Sequence, residues 1–422
     1  MKTIFRESEA GLNRQEALDM VRQAIEQAPR PLRRVLLIPP DITRLNSMAG
    51  LLTELFFQEL EPQTRCDVLP ALGTHMPMTR EECSGFYGAC IPEDRYLVHD
   101  WRKGTVVLGV VDEKTCARIS RGLMEREIPV ELSRYVAEGG YDWIVSIGQV
   151  VPHEVVGMAN HAKNLFVGCG GSDFINASHL LSVLYGFEKG MGRDHTPVRD
   201  LFDYAAERFL GGLPLLYALT VTTTDEAGTH LNGLYLGQGR EGFNRAVRLS
   251  QRLNVTYVER PMQTCVVRLE EKEFRTSWVG NKAVYRTRKA LANGGRLIVL
   301  APGFERFGED MENDALIRKF GFCGGERVLR LMEEREELRK NLSVVAHLVQ
   351  GSGDGRFTVC YCTKPQHEQE IRGVGFDWMD IDRARQLYGA LQPGWNQTAE
   401  GEIYYIDNPA LGLWDLRPEG EA

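Results

Sequence analysis

No stretch of the 422 residues approaches the roughly 18 uncharged apolar residues that a membrane-spanning helix needs. The opening segment MKTIFRESEAGLNRQEALDM also lacks an apolar run of signal-peptide length, so the expected location is cytoplasmic, with no membrane partner. There is no block of like charge, and the net charge is −8, which argues against a nucleic-acid partner. The nine cysteines include no CxxC pair, and their odd number and scatter point to reduced thiols rather than a disulfide framework or zinc knuckle. No GxGxxG lies between the first strong strand and its helix, which weighs against a nicotinamide-dependent dehydrogenase.

What is present reads as α/β. RRVLLIPP (33–40), CDVLPALGTH (66–75), GTVVLGVV (104–111) and YDWIVSIGQVVPH (141–153) are short apolar runs ending at turns, the pattern of buried parallel strands. TREECSGFYG opens a helix, with Thr79 as N-cap and Glu82 three residues on. REIPVELSRYVAEGG (126–140) reads as a helix, and AVYRTRKALANGG (283–295) as a helix stopped by glycine. The length suggests two domains. We place the boundary near residue 262, giving an N-terminal catalytic and cofactor-binding domain (1–262) and a C-terminal α/β domain (263–422), both with mostly parallel sheets. The tail LWDLRPEGEA (413–422) reads as frayed.

Ligands of α/β sheets bind outside the carboxyl ends of strands. Polar groups collect at four such ends: Asp41 and Arg44 in PPDITR, His75 in GTHMPMT, His153 in PHEVVG, and Glu305 with Arg306 in APGFERFGED. Two histidines can act as acid and base near neutral pH, and an arginine can hold a carboxylate through paired hydrogen bonds. Lys163, among apolar residues, is either a solvated helix start or a covalent or phosphate-binding lysine. His179 is either a core or capping histidine or a metal ligand. No CxxC or HxxxH lies near it, so the metal reading requires ligands from a cofactor.

Taken in order, PDITR, LGTHMPMTREE, the Pro152–His153 pair followed by Lys163 and His179, and YRTRKAL resemble the nickel-dependent lactate racemase family of 2-hydroxyacid racemases and epimerases. The resemblance covers most of the chain. It implies a nickel-pincer nucleotide, derived from nicotinic acid, joined to Lys163 as a thioamide, with nickel held by two sulfurs and a carbon of the pincer and by His179. It implies His75 and His153 as the acid/base pair, Arg44 on the substrate carboxylate with Asp41 beside it at the cofactor site, and Tyr285 and Lys289 facing substrate, with the active site between the two domains. Enzymes that make the cofactor are the implied transient partners, and a small 2-hydroxyacid is the implied substrate. Two positions differ from the family pattern. Arg286 stands where lactate-specific members have glutamine, from which we expect a substrate longer or more polar than lactate, such as a sugar acid or a diacid. GMANHAK, containing Asn160 and His161, replaces a glycine- and serine-rich lead-in to the lysine. The rival reading is a cofactor-free binding or regulatory protein on the same fold.

Overall fold

The computed structural model describes residues 2–417 apart from 62 and 226. The chain forms two compact units. One comprises the residues up to Tyr185 together with Lys189–Asn254, and the other comprises Gly186–Glu188 together with the chain from Val255 onward. The division therefore falls earlier than the expected boundary near 262. Val255–Val258 pairs in parallel with Leu413–Leu416, which commits the residues just after the helix Arg240–Asn254 to the second unit. The same pairing makes Leu413–Leu416 a strand rather than a frayed end, and the rest of that tail from 418 lies outside the described residues.

The first unit is built on a six-stranded sheet in the order Ile4–Glu7, Gly228–Gly237, Leu215–Asp225, Trp143–Gln149, Arg34–Ile38, Arg65–Val68. The last four run parallel, and the first two are antiparallel additions. Every residue of Trp143–Gln149 is buried, as a central parallel strand flanked by helices requires. Helices Arg14–Glu26 and Ala49–Leu60 cover one face through Val21, Ala24, Leu52 and Phe56. The capping box at Thr79 and Glu82 forms as expected and opens the helix Arg80–Tyr87.

Two expected helices are corrected. Within 126–140, Ile128–Ser133 is a strand and only Arg134–Ala137 is helical; the alternating burial of Ile128, Val130 and Leu132 has the period of a strand. That strand pairs antiparallel with Thr105–Val111, so 104–111 lies in a separate two-stranded ribbon, not in the main sheet. Within 283–295 the helix stops at Tyr285, and Leu291–Leu300 is a strand.

The second unit holds a six-stranded sheet ordered Asp377–Asp380, Phe357–Thr363, Leu291–Leu300, Met262–Arg268, Gly401–Ile406, Gly394–Thr398. All its pairings are parallel except the last. Both units are thus α/β with mostly parallel sheets. Among the described residues no helix is long and apolar enough to cross a membrane.

Candidate functional site

Three neighbouring parallel strands of the first unit deliver the polar loops. Because Arg34–Ile38 pairs in parallel with both Arg65–Val68 and Trp143–Gln149, the segments leading to Asp41, His75 and His153 leave the same edge of one sheet. Asp41 caps the turn Ile42–Ser47, accepting from the Thr43 backbone N–H at 3.0 Å and the Thr43 hydroxyl at 2.6 Å. Its Oδ2 lies 2.6 Å from His75 Nδ1. Burial alone would raise the Asp41 carboxyl. The charge and hydrogen bond of His75 outweigh it, helped by Thr43 and Arg44, and the group is held below the ordinary carboxylate range. A carboxylate only accepts, so neutral His75 carries its proton on Nδ1 and has a lone pair on Nε2.

His153 has the reverse arrangement. It is buried, and its Nδ1 accepts the Val155 backbone N–H at 3.1 Å, which puts the proton of the neutral ring on Nε2. Glu154 Oε2 stands 3.7 Å from the same Nδ1.

Lys163 lies on the short helix Ala162–Phe166. Burial, and then the charge of Arg44, push its amine down to about 8, while Glu154 and Asp41 act in the opposite direction. His179 projects from the helix Ser172–Tyr185, with Nδ1 donating to the Ile175 carbonyl at 2.6 Å. Burial pushes its imidazole down to about 4, Lys163 adds to the depression, and Glu154 opposes it. His179 is therefore a neutral imidazole with its proton engaged by a carbonyl and its Nε2 lone pair left over. That is the state in which histidine binds a metal, with the other nitrogen fixed by a backbone acceptor.

Asp41, Arg44, His75, Glu154, Lys163 and His179 thus form one electrostatically linked group in the first unit. Glu154 is an addition to the residues singled out from sequence; its signal was its place beside His153 in PHEVVG. Arg199 is the other addition. It is fully buried on the helix Pro197–Phe209 and donates to the carbonyls of Met158 and Asn160, and no motif announces it. Among the described residues no three His, Cys, Asp or Glu side chains gather as a metal-binding set. A metal at His179 would take its remaining ligands from a bound group, and a neutral imidazole near a low-pKa amine suits a group that is both metal-bearing and covalently tethered.

Tyr285, Arg286 and Lys289 lie in the second unit. Tyr285 is buried, and Lys289 pairs with Asp415. Arg286 is fully buried, and its Nη1 donates to the carbonyls of Pro409 at 3.3 Å, Ala410 at 2.8 Å and Gly412 at 3.1 Å. Through Nη1 it clamps the segment leading into Leu413–Leu416. Glu305 and Arg306 are engaged locally, by Arg275 and by the Glu309 carbonyl.

Residues 7–192 match the family model of the lactate racemase N-terminal domain. A crystal structure of a protein from Thermotoga maritima, from the Northeast Structural Genomics Consortium, is similar with a TM-score of 0.85 and 24% identity over 98% of this chain and 100% of that one. The lactate racemase apoprotein from Thermoanaerobacterium thermosaccharolyticum is similar with a TM-score of 0.69 and 14% identity, covering 97% of this chain and 94% of that one. At these identities the likeness is one of fold. No curated protein matches the chain.

Proposed function

We propose that this chain, whose residues 7–192 match the family model of the lactate racemase N-terminal domain, is a racemase or epimerase inverting C2 of a small 2-hydroxyacid. In this reading Lys163 carries a nickel-pincer nucleotide covalently and His179 Nε2 is the protein ligand to its nickel. The observation that carries the reading is the state of His179: Nδ1 committed to the Ile175 carbonyl, Nε2 unprotonated, and the ring coupled to an amine whose pKa is pushed down to about 8.

When bound, the group would supply a reversible hydride acceptor, which spares the enzyme from forming a carbanion at a weakly acidic C–H. The chain's own residues do the rest. Arg44 holds the substrate carboxylate, and that anchor keeps the planar 2-ketoacid from leaving while it presents its other face. His75, with a lone pair on Nε2, takes the hydroxyl proton of one enantiomer. His153 in its imidazolium form, with Glu154 Oε2 3.7 Å from Nδ1, returns a proton from Nε2 to the other and is left neutral, and the roles exchange in the reverse direction. Asp41 fixes the His75 ring through Nδ1 and stabilises its protonated form. Cofactor-making enzymes are the transient partners this chemistry requires.

The test is co-expression with such enzymes, followed by denaturing mass spectrometry of the Lys163 peptide, nickel analysis, and chiral chromatography on a panel of enantiopure 2-hydroxyacids. The expected result is an adduct on Lys163, near-stoichiometric nickel, and racemisation of at least one acid. Unmodified Lys163 in a fully active sample would overturn the tether. A loaded chain inert toward the whole panel would favour a binding or regulatory role.

A further inference from the structure

The backbone leading into Lys163 is held in an unusual shape. Asn160 and His161 are consecutive non-glycine residues at φ 68° and 60°. Left-handed backbone is costly for such residues and persists where the surroundings over-determine it. Three anchors do so here. Arg199, wholly buried and stacked 4.6 Å over the Phe243 ring, donates to the Met158 carbonyl and to the Asn160 carbonyl at 3.4 Å. The His161 ring lies 4.0 Å from that of Tyr217, and its Nε2 donates to the Gly239 carbonyl at 3.0 Å. The Asn160 side chain accepts the His161 N–H at 2.7 Å and lies so close to Gly148 that a Cβ there would come within 2.1 Å of Asn160 Nδ2.

Among the described residues Arg199 has no carboxylate within ion-pair distance, and its Nε is buried without a partner. The charge of Asp203, itself engaged by Arg240, opposes the cost of burying Arg199 without a direct salt bridge, and burial still outweighs it; that is an expensive way to hold two carbonyls unless the shape of that segment matters. Glycines would adopt the same backbone without anchors.

We propose that Arg199 and His161 are positioning residues for Lys163: they lock Met158–His161 in the conformation that presents the lysine for covalent loading, in place of glycines. The proposal rests on the tether reading above. Its first test does not. Amide exchange of the peptide spanning 158–164 is measured in the cofactor-free chain for the parent and for Arg199→Met. Exchange should accelerate roughly 10–150-fold in the variant, the factor expected for losing a hydrogen bond from a charged group, with the helix Pro197–Phe209 otherwise unchanged.

The second test mixes cofactor-free chain with enzymatically made cofactor and follows the Lys163 adduct over time by mass spectrometry. Arg199→Met should load more slowly by a similar factor. His161→Gly, which accepts a positive φ, should load within a few-fold of the parent. His161→Ala, which does not, should be slower than His161→Gly by roughly 5–30-fold. This contrast also decides the matter if Arg199→Met fails to fold, with melting curves of the two cofactor-free His161 variants taken alongside so that loading is compared only between chains that are folded at the assay temperature. Unchanged exchange in a folded Arg199→Met, a loosened segment that loads at the parent's rate, or equal loading of the two His161 variants would each overturn the proposal. A parent that takes no adduct would instead bring down the tether reading, leaving the exchange result to decide whether Arg199 anchors the segment.

Discussion

Asp41 Oδ2 lies 2.6 Å from His75 Nδ1, so the acid fixes the ring's proton on the side away from Nε2. At the next strand end, His153 accepts a backbone N–H on the same ring atom. In their neutral forms the two imidazoles are therefore set in opposite tautomers, and whichever acts as the acid does so as the imidazolium. Replacing either His75 or His153 by alanine should lower racemisation in both directions by about 10²–10⁴-fold, because each direction uses one base and one acid. Chiral assays from each enantiomer check this. Near-normal turnover in either direction would remove that histidine from the pair.

Asp41 should also leave a mark on acid stability. Its folded carboxyl is depressed, so the unfolded chain takes up protons first as pH falls. The stabilisation is present above the ordinary carboxylate pKa near 4 and is lost as pH drops through the lower folded value. Asp41→Asn should cost about 1.5–3 kcal/mol at pH 6, the scale of a charged hydrogen bond. Melting curves of parent and variant should converge toward pH 3, and a gap that widens in acid would contradict the assignment.

Lys163 works with the opposite balance. Its folded pKa is about 8 against 10.5. Between those values the unfolded chain binds more protons, so stability rises with pH there, and below about 8 the folded chain carries the full penalty. Lys163→Met should therefore stabilise the cofactor-free protein at pH 7, by about 1–3 kcal/mol once partial solvent access is allowed for. The gain should shrink as pH rises past 8 toward 10.5. A variant no more stable than the parent at pH 7 would mean that the amine is well solvated.

His179→Ala should lose nickel from the loaded protein while the fold persists, since the hydrogen bonds of the side chain are local, to the Ile175 carbonyl and the neighbouring Ser178. Metal analysis beside far-ultraviolet circular dichroism separates the two effects. Full nickel occupancy in a folded variant would put the ligand elsewhere.

For Arg286 the expected consequence lies in stability, not specificity. Arg286→Gln removes a guanidinium that holds three carbonyls, at a cost of about 1.5–3 kcal/mol or more. The ranking of 2-hydroxyacids by kcat/KM should stay the same. A reordered substrate panel with an unchanged Tm would restore the specificity role.

The features legible in the sequence were those with local causes. Thr79 and Glu82 write their capping box within four residues. Asp41, His75 and His153 follow apolar runs whose parallel pairing puts their loops on one sheet edge. Ile128–Ser133 was misread because its proline and flanking charges obscured a period-two burial that only the partner strand reveals. The carbonyl partners of Arg286 were not legible, because a residue type does not say which carbonyls will surround it. Arg199 was not legible at all: its partners, Met158 and Asn160, are backbone oxygens, which leave no trace in residue identity.

The assignment of Gly186–Glu188 to the second unit has a consequence for how the two halves can be inherited. The chain crosses between units at 185–186, at 188–189 and again at 254–255, and Glu188 is an ion-pair partner of the buried Arg288. The units are therefore not interchangeable cassettes. A graft joined only at 254–255 would import Arg288 with Asp354 but without Glu188, and would keep both of its acids only if residue 188 were matched as well.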